Sequence, residues 1–561
     1  MYKKVLLINA LLVSISFFSQ VVKFNSVLKN IASELKTVQN SKSTFNQSII
    51  SENPGVVLLK STETTTKGKS EEILYQLNLS DIDINTIRPV TSKDVIMVQM
   101  IVKNNQKMIK QTIDNEKIRY ENKAYILAHN IDNARILTDY LKEIIPISNE
   151  ITENRLSLDN YEDRLNWLVK NVVNVSIIDV NYNQKLSLST DVPGNVTIDN
   201  TSIKNKSSET QRLQFNLSNI NPNTIFFKSK GSEFILSLET KRKLKTIKLF
   251  ENQEQKNYIN GFDIICNDVE NARDLQRVFK EIIPLAQKEF DNSFPKILGL
   301  EQGIEIINKK IETITTDKTT TQQSFSKKSV ATFSKKEIDA KRQKEFTFNF
   351  NFIDINKDDI EVDIKGTEVL LLLKTKSKNK FIKEVENNEL QNYTNEIEIV
   401  CNSIEDAYII KNIFTDIVGL SEKTKEETYR FSNLTKGVEV LKKNIFGVNI
   451  DKYTYEQNIE LIENSENKIL KFTSVKVSDK KSEENIQEFN LSDINAKSLE
   501  IDVSGKKVMV NFTTNYQEKI IKTYIDGEIK SYTNEVTIFC SDIENARNIK
   551  NIISYLIAVN Q

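Results

Sequence analysis

Apolar and polar residues follow one another in the same order at four places along the chain. At each place, an apolar run typical of a strand leads into an Asx or Ser residue, and apolar residues at helical spacing follow. The four segments are residues 120–134, 258–272, 393–407 and 532–546. Successive segments are about 140 residues apart, which is the size of a domain. The pattern therefore predicts four tandem copies of a domain-sized unit rather than a solenoid of short repeats.

Each copy is predicted to open with an amphipathic helix, because apolar residues recur at i, i+3 and i+7. The four stripes are Leu28, Ile31, Leu35; Leu165, Leu168, Val172; Ile304, Ile307, Ile311; and Val438, Leu441, Ile445. The part that follows differs most between copies and predicts two strands or a long hairpin. In copy 3, residues 316–344 are rich in Ser, Thr and Lys, which predicts a loop.

A hairpin precedes each of the four recurring segments. Its central residues suit the positive φ angles of a two-residue turn. These pairs are Asp114-Asn115, Asn252-Gln253, Asn387-Asn388 and Asp526-Gly527. Counting outward from the turns predicts an isoleucine opposite a tyrosine, a favourable cross-strand pair. The predicted pairs are Ile109–Tyr120, Ile247–Tyr258, Ile382–Tyr393 and Ile521–Tyr532.

The closing helix has a predicted beginning and end in each copy. Its N-cap residues are Asn130, Asp268, Ser403 and Asp542. A carboxylate stands in each first turn, where it meets the positive end of the helix dipole: Asp132, Glu270, Glu405 and Glu544. Pro146, Pro284 and Gly419 are predicted to end the helix in the first three copies.

Together these elements predict an α+β unit of one helix, about seven antiparallel strands and a closing helix. A bent barrel or sandwich of seven strands plugged by a C-terminal helix resembles the pleckstrin-homology-like superfold, by element order alone. Two layers of sheet and helix without closure are the alternative. The predicted domains are 21–148, 152–288, 296–421 and 430–561, preceded by a targeting segment at 1–20.

The first twenty residues have the pattern of a secretory signal peptide. Lys3 and Lys4 precede an apolar run through Phe18, and small residues follow. Cleavage is predicted after Ser16 or Ser19. A retained membrane anchor is the alternative, but the apolar run is short for a span of about 20 residues. We therefore expect an exported protein, periplasmic or extracellular, with no membrane span after signal removal.

Charge and cysteine content argue against two classes of protein, nucleic-acid binders and disulfide-stabilised domains. Lys plus Arg and Asp plus Glu both number 77, so no basic surplus marks a nucleic-acid binder. Cys266, Cys401 and Cys540 occupy one equivalent position, where copy 1 has Ala128. Three equivalent thiols in separate units do not make a disulfide framework. They are expected to be small buried core residues.

Residues able to carry chemistry are few. The only histidine, His129, matches Asn267, Asn402 and Ser541, which indicates a polar surface residue. Asx residues recur at Asp81 and Asp83, Asn219 and Asn221, Asp354 and Asn356, and Asp493 and Asn495. The two asparagines of copy 2 favour turn caps over a calcium site. No catalytic, metal-binding or cofactor-binding residues are predicted, and no cofactor is expected.

A carboxylate pair remains the one catalytic alternative, because it needs no motif. Its candidates follow the hairpin turns and lie near a lysine in sequence. They are Glu116, Glu254, Glu389 and Glu528, near Lys110, Lys248, Lys383 and Lys522. Glutamates flanking a turn and solvated lysines explain these residues adequately, and this interpretation is preferred over catalysis.

The favoured function is therefore an exported, non-catalytic binding or scaffold protein of the bacterial cell envelope, built from tandem modules. Its expected partner is a protein or another envelope component, and not nucleic acid. The alternatives are an envelope polysaccharide hydrolase, or a binder of lipid or another apolar ligand inside the barrels. Contact surfaces are expected in the divergent segments 40–72, 183–212, 313–345 and 452–486.

Overall fold

The repeating unit of the chain is a helix, nine antiparallel strands in two sheets, and a second helix. The computed structural model describes residues 2–92, 94–177, 179–189, 191–205, 207–316, 319–423, 429–462 and 468–560, with only the backbone for residues 2–17. The mixed α+β class is confirmed, and the sheets recur as six strands plus three. Each repeat thus has nine strands, where about seven were predicted.

Repeat 1 begins with a helix that includes the segment predicted as a signal peptide. Its elements are α1 (Tyr2–Glu34), β1 (Val38–Gln39), β2 (Ser43–Asn53), β3 (Val56–Thr65), β4 (Ser70–Asn78), β5 (Arg88–Ser92), β6 (Val95–Ile101), β7 (Ile109–Ile113), β8 (Lys117–Glu121), β9 (Lys123–Ala128) and α2 (Ile131–Asn154). Ser16 lies outside the residues whose side chains are described, and cleavage stays a prediction.

Repeat 2 has the same elements in the same order. They are α3 (Tyr161–Asn171), β10 (Val175–Ile177), β11 (Val180–Leu188), β12 (Asn195–Lys204), β13 (Ser207–Asn216), β14 (Phe226–Lys230), β15 (Glu233–Glu239), β16 (Lys248–Glu251), β17 (Glu254–Gln255), β18 (Gly261–Cys266) and α4 (Val269–Asn292).

Repeat 3 comprises α5 (Leu300–Ile311), β19 (Thr313–Thr315), β20 (Thr319–Lys327), β21 (Ala331–Asp339), β22 (Gln343–Phe350), β23 (Glu361–Lys365), β24 (Glu368–Lys374), β25 (Lys383–Glu386), β26 (Glu389–Leu390), β27 (Glu396–Cys401) and α6 (Ile404–Glu422). The loop predicted at 316–344 is wrong, because β20 and β21 form a long hairpin there. Thr321, Gln323 and Phe325 face inward in alternation, and threonine suits a strand as a β-branched residue.

Repeat 4 comprises α7 (Leu434–Asn444), β28 (Val448–Ile450), β29 (Tyr453–Ile462), β30 (Ile469–Val477), β31 (Ser482–Asn490), β32 (Glu500–Ser504), β33 (Lys507–Thr513), β34 (Lys522–Ile525), β35 (Glu528–Ile529), β36 (Glu535–Cys540) and α8 (Ile543–Asn560). Two compact units contain the repeats in pairs: Met1–Ser293 holds repeats 1 and 2, and Phe294–Gln561 holds repeats 3 and 4.

The two sheets of a repeat interleave along the chain. In repeat 1 the larger sheet has the order β1-β2-β3-β4-β7-β8, and the smaller has the order β5-β6-β9. The other repeats follow the same order. The closing helix packs against the smaller sheet and the opening helix. In unit 1, the buried side chains of repeats 1 and 2 form one continuous hydrophobic cluster.

A glutamine, buried in repeats 2, 3 and 4 and half-buried in repeat 1, joins the larger sheet to the edge strand of the smaller one in every repeat. In repeat 2 the Gln184 amide donates to the Ile265 carbonyl (2.8 Å) and accepts from the Ile265 N–H (3.0 Å). The equivalent pairs are Gln47–Leu127, Gln323–Val400 and Gln457–Phe539. The amide of one side chain thus makes the two hydrogen bonds that a neighbouring strand would otherwise make, and it links the two sheets.

The closing helices begin where predicted and end later. Side chains of the four predicted N-cap residues accept backbone hydrogen bonds from the first turn. However, α2 runs through Pro146 to Asn154, α4 through Pro284 to Asn292, and α6 through Gly419 to Glu422. The prediction of these ends is wrong. In α2, burial of Ile147 and Ile151 beyond the proline compensates for the missing hydrogen bond.

The hairpin turns are confirmed, but the predicted isoleucine–tyrosine register is wrong by one residue. Both central residues of each turn have positive φ. In repeat 2, Glu251 pairs with Glu254, as counting outward from the turn predicts. Farther from the turn, Ile247 faces Ile259 rather than Tyr258. Ile382 and Ile521 face Thr394 and Thr533 by the same slip. In repeat 1 the extra residue lies at the turn, and Ile109 faces Glu121.

Candidate binding site at the junction of paired repeats

An ion pair links the two repeats of each unit at the same place. In unit 1, Nη2 of Arg273 in α4 lies 2.6 Å from Oδ2 of Asp81 in repeat 1. In unit 2, Nη2 of Arg547 in α8 lies 2.8 Å from Oδ2 of Asp354 in repeat 3. Each aspartate is buried. The junction of unit 1 is therefore built again, with the same chemistry, in unit 2.

Short 3-10 turns position these aspartates. Asn78 caps the turn Leu79–Asp81 by accepting from the N–H of Ser80, and its Nδ2 donates to Glu270 of repeat 2 (3.1 Å). Asn351 caps Phe352–Asp354 in the same way and donates to Glu544 (3.4 Å). Each junction thus joins an Asn and an Asp of one repeat to a Glu and an Arg of the next.

The expectation that the recurring Asx residues cap turns is confirmed for the second member of each pair. Asp83, Asn221, Asn356 and Asn495 each accept a backbone hydrogen bond that caps a second 3-10 turn. The first member does something the sequence analysis missed, since Asp81 and Asp354 bind the arginines. Burial raises the pKa of both carboxyl groups above the ordinary value, and the facing arginine opposes that shift.

A tyrosine adds apolar contact to each junction. Tyr120 of repeat 1 packs against Phe234 of repeat 2, with ring centroids 4.9 Å apart. Tyr393 of repeat 3 belongs to the hydrophobic cluster of repeat 4, and its N–H donates to the carbonyl of Gly505 (3.0 Å). Burial raises the pKa of both phenols. The one-residue slip in the hairpin thus accompanies a tyrosine that packs into the neighbouring repeat.

A cleft beside this junction is open in unit 2 and closed in unit 1. In unit 2 it has a volume of about 420 Å³. Its apolar wall includes Phe350, Phe381, Tyr393 and Ile543, and its polar wall includes Asn349, Asn351, Lys383, Asp542, Glu544 and Asn548. The equivalent space in unit 1, lined by Leu77, Met108, Lys110, Asp268 and Glu270 among others, measures about 10 Å³.

One charged group differs between the two junctions. In unit 1, Arg155 at the end of α2 binds Asp274 (2.6 Å) and Glu270. In unit 2, the position of Asp274 is taken by Asn548, whose side chain lines the cleft. The unit 2 cleft is thus lined by one lysine, two carboxylate residues and three asparagines, beside an aromatic wall.

A second concave surface lies on the larger sheet of repeat 3. It has a volume of about 480 Å³ and includes Gln322, Ser324, Ser334, Lys336 and Thr347. It falls largely within the divergent segment 313–345, where the sequence predicts a contact surface. It is the more open of the two, and its lining combines polar side chains with apolar surface such as that of Phe346.

The structure separates the glutamates from the lysines of the predicted carboxylate sites. Glu116, Glu254, Glu389 and Glu528 are all exposed. Glu254 and Glu528 each bind the lysine two residues on, at 2.9 Å. Lys110 and Lys383 lie instead in the clefts at the junctions. The hairpin glutamates are not among the residues that line those clefts.

The remaining residues able to carry chemistry are the cysteines and the histidine. The three cysteines are buried and unbridged, as expected for core residues, and burial raises the pKa of Cys266 and Cys540 to about 12. His129 is exposed. Within the described residues, no group of three or more His, Cys, Asp and Glu side chains could hold a metal ion.

Comparison with known proteins gives no relative from which a role for the site could be inferred. Over the ranges whose side chains are described, no helix combines the length and apolar character needed to cross a membrane. No family model matches the chain, and no curated protein or solved structure is significantly similar to it.

Proposed function

We propose that the chain is an exported, non-catalytic binding and scaffold protein of the cell envelope. Its tandem modules resemble the pleckstrin-homology-like superfold in element order. The observation that carries the proposal is the cleft of about 420 Å³ in unit 2, at a junction that unit 1 builds with the same residue types and keeps closed. A volume of that size suits a small ligand.

The wall chemistry favours a short peptide as the ligand. Lys383 offers a cation to a carboxylate, while Asp542 and Glu544 offer anions to an amine. Asn548 can donate to and accept from a peptide group. Phe381 and Tyr393 give an apolar side chain a surface to pack on. A peptide carries all of these complementary groups in one molecule.

The second candidate is hydrolysis of an envelope polysaccharide, because Asp542 and Glu544 both line the cleft. Two carboxylates in one cleft are what a glycosidase needs. However, Asp542 caps α8 by accepting from the N–H of Asn545 (2.8 Å), and Glu544 binds Asn351 and Arg547. Their counterparts in unit 1, Asp268 and Glu270, make the same kinds of bond. This structural use favours binding over catalysis.

A thermal-shift experiment tests the binding proposal. The purified chain is heated with and without a pool of tetrapeptides with free termini. We expect the pool to stabilise the wild type, and Asn548→Trp, which fills the cleft, to abolish that shift. Lys550→Trp, two residues along the same helix, is the matched control and should keep it. No shift in the wild type would contradict peptide binding.

The catalytic alternative has its own readout. The chain is incubated with purified envelope polysaccharide, and new reducing ends are measured over time. Non-catalytic binding predicts no release above the buffer blank. Release that Asp542→Asn abolishes would overturn the proposal and support a hydrolase.

A further inference from the structure

Repeat 4 exposes the face that repeats 1 and 3 bury against the next repeat. Tyr532 is 49% exposed, whereas the equivalent Tyr393 is 3% exposed. Ile520 is also exposed, although its counterpart Met108 in repeat 1 is buried. Asp493 stands at the position of Asp81 and Asp354, and among the described residues it forms no ion pair. We call Asp493, Ile520 and Tyr532 the tail face.

Repeat 1 exposes the complementary face, which repeats 2 and 4 bury. Ile131 at the start of α2 is 43% exposed, whereas the equivalent Ile543 is 6% exposed. The Arg135 side chain is 68% exposed, against 21% for the equivalent Arg273. Arg135 binds Asp132 within its own helix (2.9 Å), just as Arg273 binds Glu270. We call Ile131, Asp132 and Arg135 the head face.

The charges of the two faces match. Aspartate occupies the junction position in repeats 1, 3 and 4, and arginine occupies its partner position in repeats 1, 2 and 4. Repeat 2 carries the neutral Asn219 at the aspartate position, and repeat 3 carries the neutral Tyr408 at the arginine position. Where the aspartate is absent from one repeat, the arginine is therefore absent from the next. Two Asp–Arg pairs form within the units. Asp493 on the tail face and Arg135 on the head face are the members left over.

We propose that the chain binds a second copy of itself head to tail, with the tail face of one copy on the head face of the next. The contact would repeat the junction inside each unit, with Asp493 on Arg135 and Tyr532 covered as Tyr393 is. Such a contact uses two different surfaces, so it produces open chains or rings rather than a closed two-fold dimer. The inference goes beyond the proposed ligand binding and does not depend on it.

Sedimentation velocity of the purified chain over about 1–200 µM at low ionic strength tests this association, because weak charged contacts are strongest at low salt. We expect the weight-average mass to rise with concentration. Asp493→Arg or Arg135→Asp alone should weaken the association at least about tenfold, since each places like charges opposite each other. The double variant restores opposite charges and should recover it.

Asp479→Arg, the same charge change on an exposed turn of repeat 4, is the matched control and should associate like the wild type. Circular dichroism verifies that every variant is folded, and Tyr532→Ser should weaken association without altering any charge. A wild type that stays monomeric over the whole range would overturn the proposal. Association that survives both single charge reversals would overturn it too.

Discussion

Replacing Gln184 by leucine removes the link between the two sheets of repeat 2. The Gln184 amide accepts from the Ile265 N–H and donates to the carbonyls of Ile265 (2.8 Å) and Val173 (3.0 Å). Ile265 lies in β18, at the edge of the three-stranded sheet. No other strand of that sheet can take these two backbone groups, because β18 pairs with β15 on its other side.

The loss of stability comes from the backbone groups of Ile265, to which leucine cannot hydrogen-bond. Leucine nearly matches glutamine in volume, so the substitution opens little cavity. It strands the N–H and carbonyl of Ile265 beneath an apolar side chain, since Gln184 and Ile265 are both buried. A buried polar group without a partner costs about 1–3 kcal/mol. With partial relief by water, we expect the free energy of unfolding to fall by about 3 kcal/mol.

Trp167 provides the assay, because it is the only tryptophan and packs on the core of unit 1. Urea unfolding followed by its fluorescence reports on the unit that contains Gln184. Asn183→Leu, an amide-to-leucine change at the exposed neighbouring position on β11, is the control and should change stability by less than about 0.5 kcal/mol. If Gln184→Leu matched that control, the sheets would not depend on the glutamine and the reasoning would fail.

Three further predictions concern the junctions and the core. Asp354→Ala removes the carboxylate that lies 2.8 Å from the half-buried Arg547 and should lower the stability of unit 2 by about 3 kcal/mol in urea unfolding followed by circular dichroism, whereas Asp493→Ala should be near neutral. Tyr393→Ala should cost about 3–5 kcal/mol by the same assay, and Tyr532→Ala less than about 1 kcal/mol, because only Tyr393 is buried. Burial raises the pKa of Cys266 from 9.0 to about 12, so the folded thiol keeps a proton that the unfolded chain loses above pH 9. Stability should therefore fall by up to about 1.4 kcal/mol per pH unit above pH 9, and Cys266→Ala should remove that part of the slope in unfolding curves at pH 8.5 and 10.5.

Elements defined by local chemistry could be predicted from the sequence. The hairpin turns need residues that accept positive φ, and the closing helices need a capping side chain, so few neighbouring residues decide each of them. The register of the same hairpin could not be predicted in this way. One extra residue beyond the turn moves Ile382 off Tyr393, and the same slip moves Ile521 off Tyr532, which is 49% exposed. The slip therefore occurs whether or not the tyrosine is buried in a following repeat.

Composition misled where tertiary burial decided the outcome. Residues 316–344 look like a polar loop, but inward-facing Thr321 and Phe325 hold them in a hairpin. Pro146 has the sequence pattern of a helix end. However, burial of the apolar residues after it stabilises the fold more than the hydrogen bond that the proline removes. Local propensity is a weak guide at such positions, because packing overrides it.

The junction ion pair can be recognised in the sequence, but not by aligning the repeats with one another position by position. Asp81 and Arg273 are 192 residues apart, and Asp354 and Arg547 are 193 apart, so each pair spans two neighbouring repeats. Within one repeat the aspartate resembles a turn cap and the arginine a solvated helix residue. The pairing appears when the aspartate position is compared with the arginine position of the following repeat.

The pair of repeats, rather than the single repeat, is the physical unit on which binding must be mapped. Tyr120 lies in a hydrophobic cluster continuous over repeats 1 and 2, and Tyr393 completes the cluster of repeat 4. Deleting one repeat of a pair exposes such a tyrosine and leaves half of a buried ion pair in its neighbour. Lost binding after that deletion would report a damaged core as readily as a missing site.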